Sequence, residues 1–153
     1  MDVMKMLDEA TAEYEISEHS PTFTAQRMAA EEHVPGMNVA KPVMVKADGI
    51  CYMCVLAACC KVNLDLLKSQ LGASEIELMH ESEMADIFPD CDVGAEPPFG
   101  NFYGLATLMD IALEADEYIV FQGGTHERAI KMRVSDYMKL AEPRILNFGY
   151  HTT

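Results

Sequence analysis

Apolar residues recur at helical spacing at the start of the chain, where Val3, Met4, Leu7 and Ala10 predict a helix over 3–12. From Tyr14 to His19 the pattern switches to alternation and predicts a short strand, which Ser20 and Pro21 end because proline cannot continue a ladder. Thr24 stands as an N-cap before AQRMAAEEH, a helix over 25–33, and Pro35 with Gly36 closes that unit. The clearest local signal follows. Apolar runs at 43–47 and 50–57 flank Asp48 and Gly49, a pair that tolerates the left-handed backbone of a tight hairpin turn. Residues 64–71 read as a short amphipathic helix with Gly72 as its C-terminal cap. A strand is expected at 76–79, and Ser82 is placed to cap a helix over 83–87.

At 89–104 the character changes to PDCDVGAEPPFGNFYG, where Pro and Gly interleave with aromatic residues. Aromatic side chains favour burial, so this is an ordered loop and not a linker. Three strands are expected at 105–112, 118–121 and 128–134, with Gly123 and Gly124 turning between the last two. Ser135 is expected to cap a final helix over 136–141, stopped by Pro143. No internal repeat or low-complexity segment interrupts this order. Helices and hairpins interleave as in an α+β (mixed α/β) fold built on a curled sheet.

Composition narrows the class. With 153 residues, half of them apolar and 24% charged, the chain suits one globular domain over 1–153. No apolar run reaches the ~18–20 residues of a membrane-spanning helix, and MDVMKMLDEA mixes acids and lysine where a signal peptide would be apolar. These features predict a soluble, cytoplasmic protein without a membrane partner. Eleven basic against 25 acidic residues give a formal charge of −14. That balance excludes a protein that wraps duplex DNA, where Lys and Arg neutralise phosphates, but leaves room for a short contact with the end of a nucleic acid.

Cys51, Cys54, Cys59, Cys60 and Cys91 form an odd set with no export signal, so reduced thiols are expected. Cys51 and Cys54 fall inside the predicted second hairpin strand, where positions three apart point to opposite faces and cannot clamp one ion. A redox pair normally opens a helix, and this one does not. Twelve methionines spread along every element read as core filler. The histidines are scattered, and no triad follows from their spacing. His126, just after the Gly-Gly turn, is the one of interest, set against the plainer reading of an exposed turn residue.

Lys41 stands in VAKPVMV at the mouth of an apolar strand, either snorkelling to the surface or aimed at an anion. The loop GAEPPFG at 94–100 has glycines at both ends, which permit close approach of backbone to a ligand. Its N–H groups at 95, 96, 99 and 100 are candidates for holding a carbonyl or carboxylate oxygen, against the plainer reading of a tight structural turn.

HSPTFTAQRMAAE, AKPVMVKADG, VNLDLLKSQLGA, GAEPPFG and YIVFQGGTHERAIKMRVSDYMKL occur in an order and spacing that covers the chain from about Tyr14 to Phe148. In these stretches the chain resembles the YbaK / prolyl-tRNA-synthetase-associated editing domain family. The resemblance implies a mixed sheet curled into a barrel-like form with helices outside. It also implies hydrolysis of aminoacyl-tRNA that carries the wrong amino acid, a small one such as alanine, serine or cysteine. It assigns Lys41 to catalysis, at the phosphate or carbonyl side of the terminal aminoacyl-adenosine. Substrate binding would fall to Gly94 and Pro98 of the glycine-x-x-x-proline loop, followed by Phe99 and Gly100, with Gly124 and His126 beside them. No cofactor and no metal is called for. The expected partner is the aminoacyl-tRNA acceptor end, with an aminoacyl-tRNA synthetase as a further partner. An aminoacyl ester is already activated, so a site that positions it, polarises its carbonyl and admits a water needs no conspicuous nucleophile.

Three departures stand out. Pro42 follows the lysine where the family usually carries Ser or Thr. The His-Pro-Leu element of the alanine-specific subgroup is absent, since His126 precedes Glu127 and Arg128. The net charge suits tRNA poorly, unless Lys41, Lys46, Lys61, Arg128, Lys131 and Arg133 gather into a local basic rim. Two other readings therefore stand beside the hydrolase: a non-catalytic module of the same fold that binds a nucleotide or the tRNA acceptor end, and a thiol-dependent redox or metal protein.

Overall fold

The computed structural model describes residues 3–19, 25–32, 35–92 and 94–151. Val3–Glu9 forms α1, Glu15–Glu18 β1 and Ala25–Glu31 α2. The hairpin is β2 (Ala40–Ala47) with β3 (Ile50–Ala57), followed by β4 (Cys60–Val62), α3 (Leu64–Leu71), β5 (Ile76–Leu78) and α4 (Glu81–Ile87). After the 94–100 loop, a 3-10 turn over Gly100–Tyr103 leads to β6 (Ala106–Asp110) and α5 (Ile111–Glu114). Then come β7 (Tyr118–Gln122), β8 (Arg128–Arg133), α6 (Val134–Ala141), β9 (Arg144–Leu146) and β10 (Gly149–His151).

Asp48 and Gly49 hold φ values of 49° and 81°, the paired left-handed conformation of a two-residue hairpin turn. The Asp48 carboxylate accepts hydrogen bonds from the N–H of Ser74 at 3.0 Å and of Glu75 at 2.9 Å, tying this turn to the segment that enters β5. Those bonds favour the charged form and hold the carboxyl below its ordinary 3.8. A depressed folded-state value adds stability that is present above the ordinary value and is lost as pH falls through the folded one. Asp48→Asn keeps the tolerance of positive φ but removes the charge. The urea midpoint of wild type is therefore expected to fall more steeply than that of the variant as pH drops below 3.8.

The sheets are ordered β5-β2-β3-β6-β9, β1-β8-β7 and β10-β4. The five-stranded sheet is mixed: β2 runs antiparallel to β3 and β5, whereas β6 is parallel to β3 and to β9. A parallel bridge between Val39 and Val120 joins the start of β2 to β7 and carries the curl from one sheet into the next. Phe99, Phe121, Tyr137 and Phe148 fill the main core with Leu56, Leu108 and Met109, all fully buried. Met28, Met44, Met53 and Met132 are buried as well and act as filler, whereas Met37 is exposed and does not. A second small cluster, Met28, Ala29, Val39, Ala58, Val120 and Ala129, lies where α2 covers the β2–β7 junction.

Several expected boundaries move. The strand expected at 105–112 ends at Asp110, because the chain turns into α5 at Ile111. The Asp110 carboxylate, buried, accepts from the N–H of Phe148 at 3.0 Å and of Gly149 at 2.8 Å, and so clasps the segment that leads into β10. Ser82 and Ser135 cap nothing: α4 begins at Glu81 after His80, and α6 begins at Val134 after Arg133, which places both serines inside their helices. Asn63 is an unexpected cap; its Oδ1 accepts from Leu66 N at 3.0 Å. Ser20, Pro21, Thr24 and His33, on which other expectations fell, lie outside the described residues.

Candidate functional site

Lys41 is the second residue of β2, opposite Leu56 of β3. Its ammonium donates to the carbonyl of Ala58 at 3.2 Å, and the Ala58 N–H is itself fixed to Val39 O at 2.8 Å. Half-burial disfavours the charged form and lowers the Lys41 pKa from 10.5, an effect that the neighbouring Cys60 and Cys59 oppose. Pro42 lies beyond the reach of β5, which pairs only with residues 45–47. The isolated parallel bridge between Val39 and Val120 brings the start of β2 beside β7, the strand that ends at Gln122. Gln122 is buried and polar, and no motif or spacing in the sequence singles it out.

Immediately after Gln122, the Gly123–Gly124 turn grips the 94–100 loop. Gly124 N donates to Ala95 O at 2.9 Å, Asp92 N to Gly124 O at 2.8 Å, and His126 N to Asp92 Oδ2 at 3.2 Å. Gly94 and Gly124 have φ of 87° and 91°, so neither position accepts a side chain without strain. Between loop and turn lies an open cleft of about 310 Å³, lined by Val3, Asp90, Cys91, Pro97, Gly123, Gly124, Thr125 and Arg128.

The loop's N–H groups are not available as expected. Ala95 N donates to Asp92 O at 3.0 Å, Phe99 N to Pro97 O at 2.8 Å, and Gly100 N to Thr107 Oγ1 at 3.0 Å. Glu96 N serves the Glu96 carboxylate. The expected row of free donors is thus spent inside the protein, and the reason is the loop's tightness, which leaves each amide an acceptor close by in the chain.

Phe99 and Gly100 face the core. Phe99 stacks on Phe102 at 4.7 Å between ring centroids and meets Tyr137 at 5.1 Å and Phe121 at 5.6 Å. Tyr137, fully buried, donates its hydroxyl to the Pro98 carbonyl. A Cβ added to Gly100 would stand 2.8 Å from Thr107 Oγ1 and 3.2 Å from Met53 Cβ. Of the expected substrate-binding residues the structure places Gly124 on the cleft. His126 is held nearby through Asp92, Pro97 and not Pro98 is the proline that lines the cleft, and Phe99 and Gly100 face the core. Lys41 is anchored on the Ala58 carbonyl, and among the described residues no hydrogen bond joins it to the loop.

Cys51 faces Lys46 and Cys54 faces Val43 across the hairpin, on opposite faces of the sheet. Burial pushes the Cys54 thiol up to about 12 and the Cys60 thiol up to about 11, which suits packing and not nucleophilic chemistry. Glu96, which no sequence pattern marked, is only 3% exposed. Its Oε1 accepts from Gly94 N at 3.1 Å, and burial raises its pKa in spite of that bond.

Residues 19–140 match the family model described as the aminoacyl-tRNA editing domain, and that span holds Lys41, the 94–100 loop and the Gly-Gly turn. The chain belongs to this family. A curated relative, the multifunctional Ser/Thr-tRNA deacylase ProXp-y of Escherichia coli (strain K12), is 29% identical over 107 residues, which cover 68% of this chain and 64% of that protein. The match thus spans a little under two thirds of the relative's length. Among solved structures, hypothetical protein APE2540 superposes with a TM-score of 0.86 at 16% identity, covering 97% of this chain and 99% of that one. A protein solved as a candidate trans-editing enzyme for prolyl tRNA synthetase gives 0.85 at 15% identity, covering 97% and 94%. Those two likenesses show the fold. No helix among the described residues is long and apolar enough to cross a membrane.

Proposed function

We propose that this editing domain is a freestanding cytoplasmic deacylase that hydrolyses the ester of tRNA mischarged with a small amino acid such as alanine, serine or cysteine. The observation that carries the reading is the family match over 19–140; the name of the Escherichia coli relative favours serine within the set. Lys41 supplies the positive charge. Its ammonium, half withdrawn from water beside the Ala58 carbonyl, acts on the phosphate or carbonyl side of the aminoacyl-adenosine with less screening than an exposed lysine would. Gly124 lines the pocket in which the acyl group is oriented, and Gly94, Pro98 and His126 shape it from behind. The attacking water needs no strong base, since the ester is activated and the neighbouring ribose hydroxyl is at hand.

A net charge of −14 and the occupied loop amides favour a second reading, a module that binds the acceptor end without hydrolysing it. Such an acidic chain grips tRNA weakly by itself, which also favours presentation of the substrate by a synthetase. A deacylation panel of tRNAs mischarged with alanine, serine, cysteine and larger residues separates the readings. Release above the spontaneous rate, confined to small residues, is expected; binding without release establishes the module instead.

A further inference from the structure

The 94–100 loop offers a ligand almost no donors, and most of its acceptors are occupied too. Ala95 O takes Gly124 N, Pro97 O takes Phe99 N, and Pro98 O takes the Tyr137 hydroxyl. The Glu96 carboxylate is different. It receives the N–H of Gly94 and of its own residue, and a carboxylate has about four lone-pair sites. Both donors are neutral, and among the described residues no lysine or arginine forms an ion pair with it, though it is 3% exposed. Its titratable neighbours are His126, which lowers the carboxyl pKa, and Glu81, Cys91 and Tyr103, while Arg128 lines the same cleft. A buried carboxylate is costly until a cation completes it. Glu96 is not itself on the cleft wall, but its neighbours Pro97 and Cys91 are.

Resting on the deacylase reading, we infer that Glu96 is a positioning residue that accepts the α-ammonium of the aminoacyl ester. Every aminoacyl-tRNA carries that ammonium one carbon from the scissile carbonyl, and it is the one cationic group at the reacting end. Lys41 then serves the nucleotide and carbonyl side of the ester and Glu96 the amine. Peptidyl or N-acylated ends, which lack the charge, are rejected.

The test compares seryl-tRNA mischarged on a non-cognate tRNA with its N-acetyl form, using wild type and Glu96→Gln. It is repeated as equilibrium binding of the non-hydrolysable amides 3′-serylamino- and 3′-(N-acetylseryl)amino-adenosine. Wild type is expected to prefer the free amine. Glu96→Gln is expected to raise KM and Kd for it roughly 10- to 100-fold, the scale of a charge-assisted hydrogen bond, and to leave the N-acetyl compounds unchanged. Equal losses on both forms, or no loss on either, overturn the assignment. If Glu96→Gln does not fold, Glu96→Asp is read by the same comparison. Hydrolysis without a Glu96-dependent preference sinks this inference alone. A Glu96-dependent preference in the amides without hydrolysis of any ester sinks the deacylase reading and keeps the inference.

Discussion

Lys41→Ala is expected to slow deacylation of a mischarged tRNA by roughly 10²–10³-fold while the protein stays folded. That is the scale of losing one preorganised electrostatic contact to a developing oxyanion, about 2.7–4 kcal/mol. The fold should tolerate the change because the half-buried ammonium is held below its ordinary pKa, so the folded state gains little from the charge. The same lowering predicts the pH profile. The ammonium is the active form, so enzymatic turnover, corrected for spontaneous hydrolysis, should decline as pH rises through a value below 10.5. Lys41→Arg, which keeps its charge at any accessible pH, should lose that decline if it retains turnover. Single-turnover assays with circular dichroism as the folding control measure all three. Unchanged turnover in Lys41→Ala removes this residue from the reaction.

The second large effect is on stability. Phe99→Ala is expected to cost about 3–5 kcal/mol, the range for deleting a fully buried aromatic ring. The ring touches Phe102, Phe121 and Tyr137 at once, so three elements lose a shared partner and a cavity remains. Because Phe99 follows directly on Pro98, whose carbonyl is held by Tyr137, the loop should loosen as well. Urea denaturation gives the size of the effect. Phe99→Leu, which refills most of the volume, should recover a large part of it; a midpoint unchanged in Phe99→Ala would show that the ring does not carry the loop.

Much of this fold is legible in the sequence because its signals are local. Asp48 and Gly49 specify their turn by backbone sterics alone, and Gly72 ends α3 in the left-handed conformation, with φ of 65°, for the same reason. The errors arise where distant residues decide. Ser82 and Ser135 look like caps by type, but α4 starts after His80, whose N–H turns to the Glu83 carboxylate, and α6 starts at Val134, whose N–H is bound by the distant Glu117 carbonyl. β4, β9 and β10 have three residues each, too short for any alternation to register. They exist because β4 and β10 pair with each other, β6 supplies an edge for β9, and Asp110 clasps the chain beside β10. The site divides in the same way. Lys41 and the 94–100 loop are visible as anomalies of composition, a cation among apolar residues and a rigid Pro-Gly segment. The burial of Glu96 and Gln122 depends on what folds over them, which a linear string does not display.

The pairing of β1 with β8 bears on how the molecule is made. Glu15 sits opposite Lys131 and Glu18 opposite Arg128, so an early strand waits for one more than a hundred positions later. During translation the β2–β3 hairpin can close early, whereas β1 has no partner until β8 has left the ribosome. Until then the unpaired backbone of β1, and the edge of β7 that β8 will cover, remain open to chaperones or to other nascent chains. The yield of active protein should therefore depend on how quickly the stretch of message that encodes β7 and β8 is read.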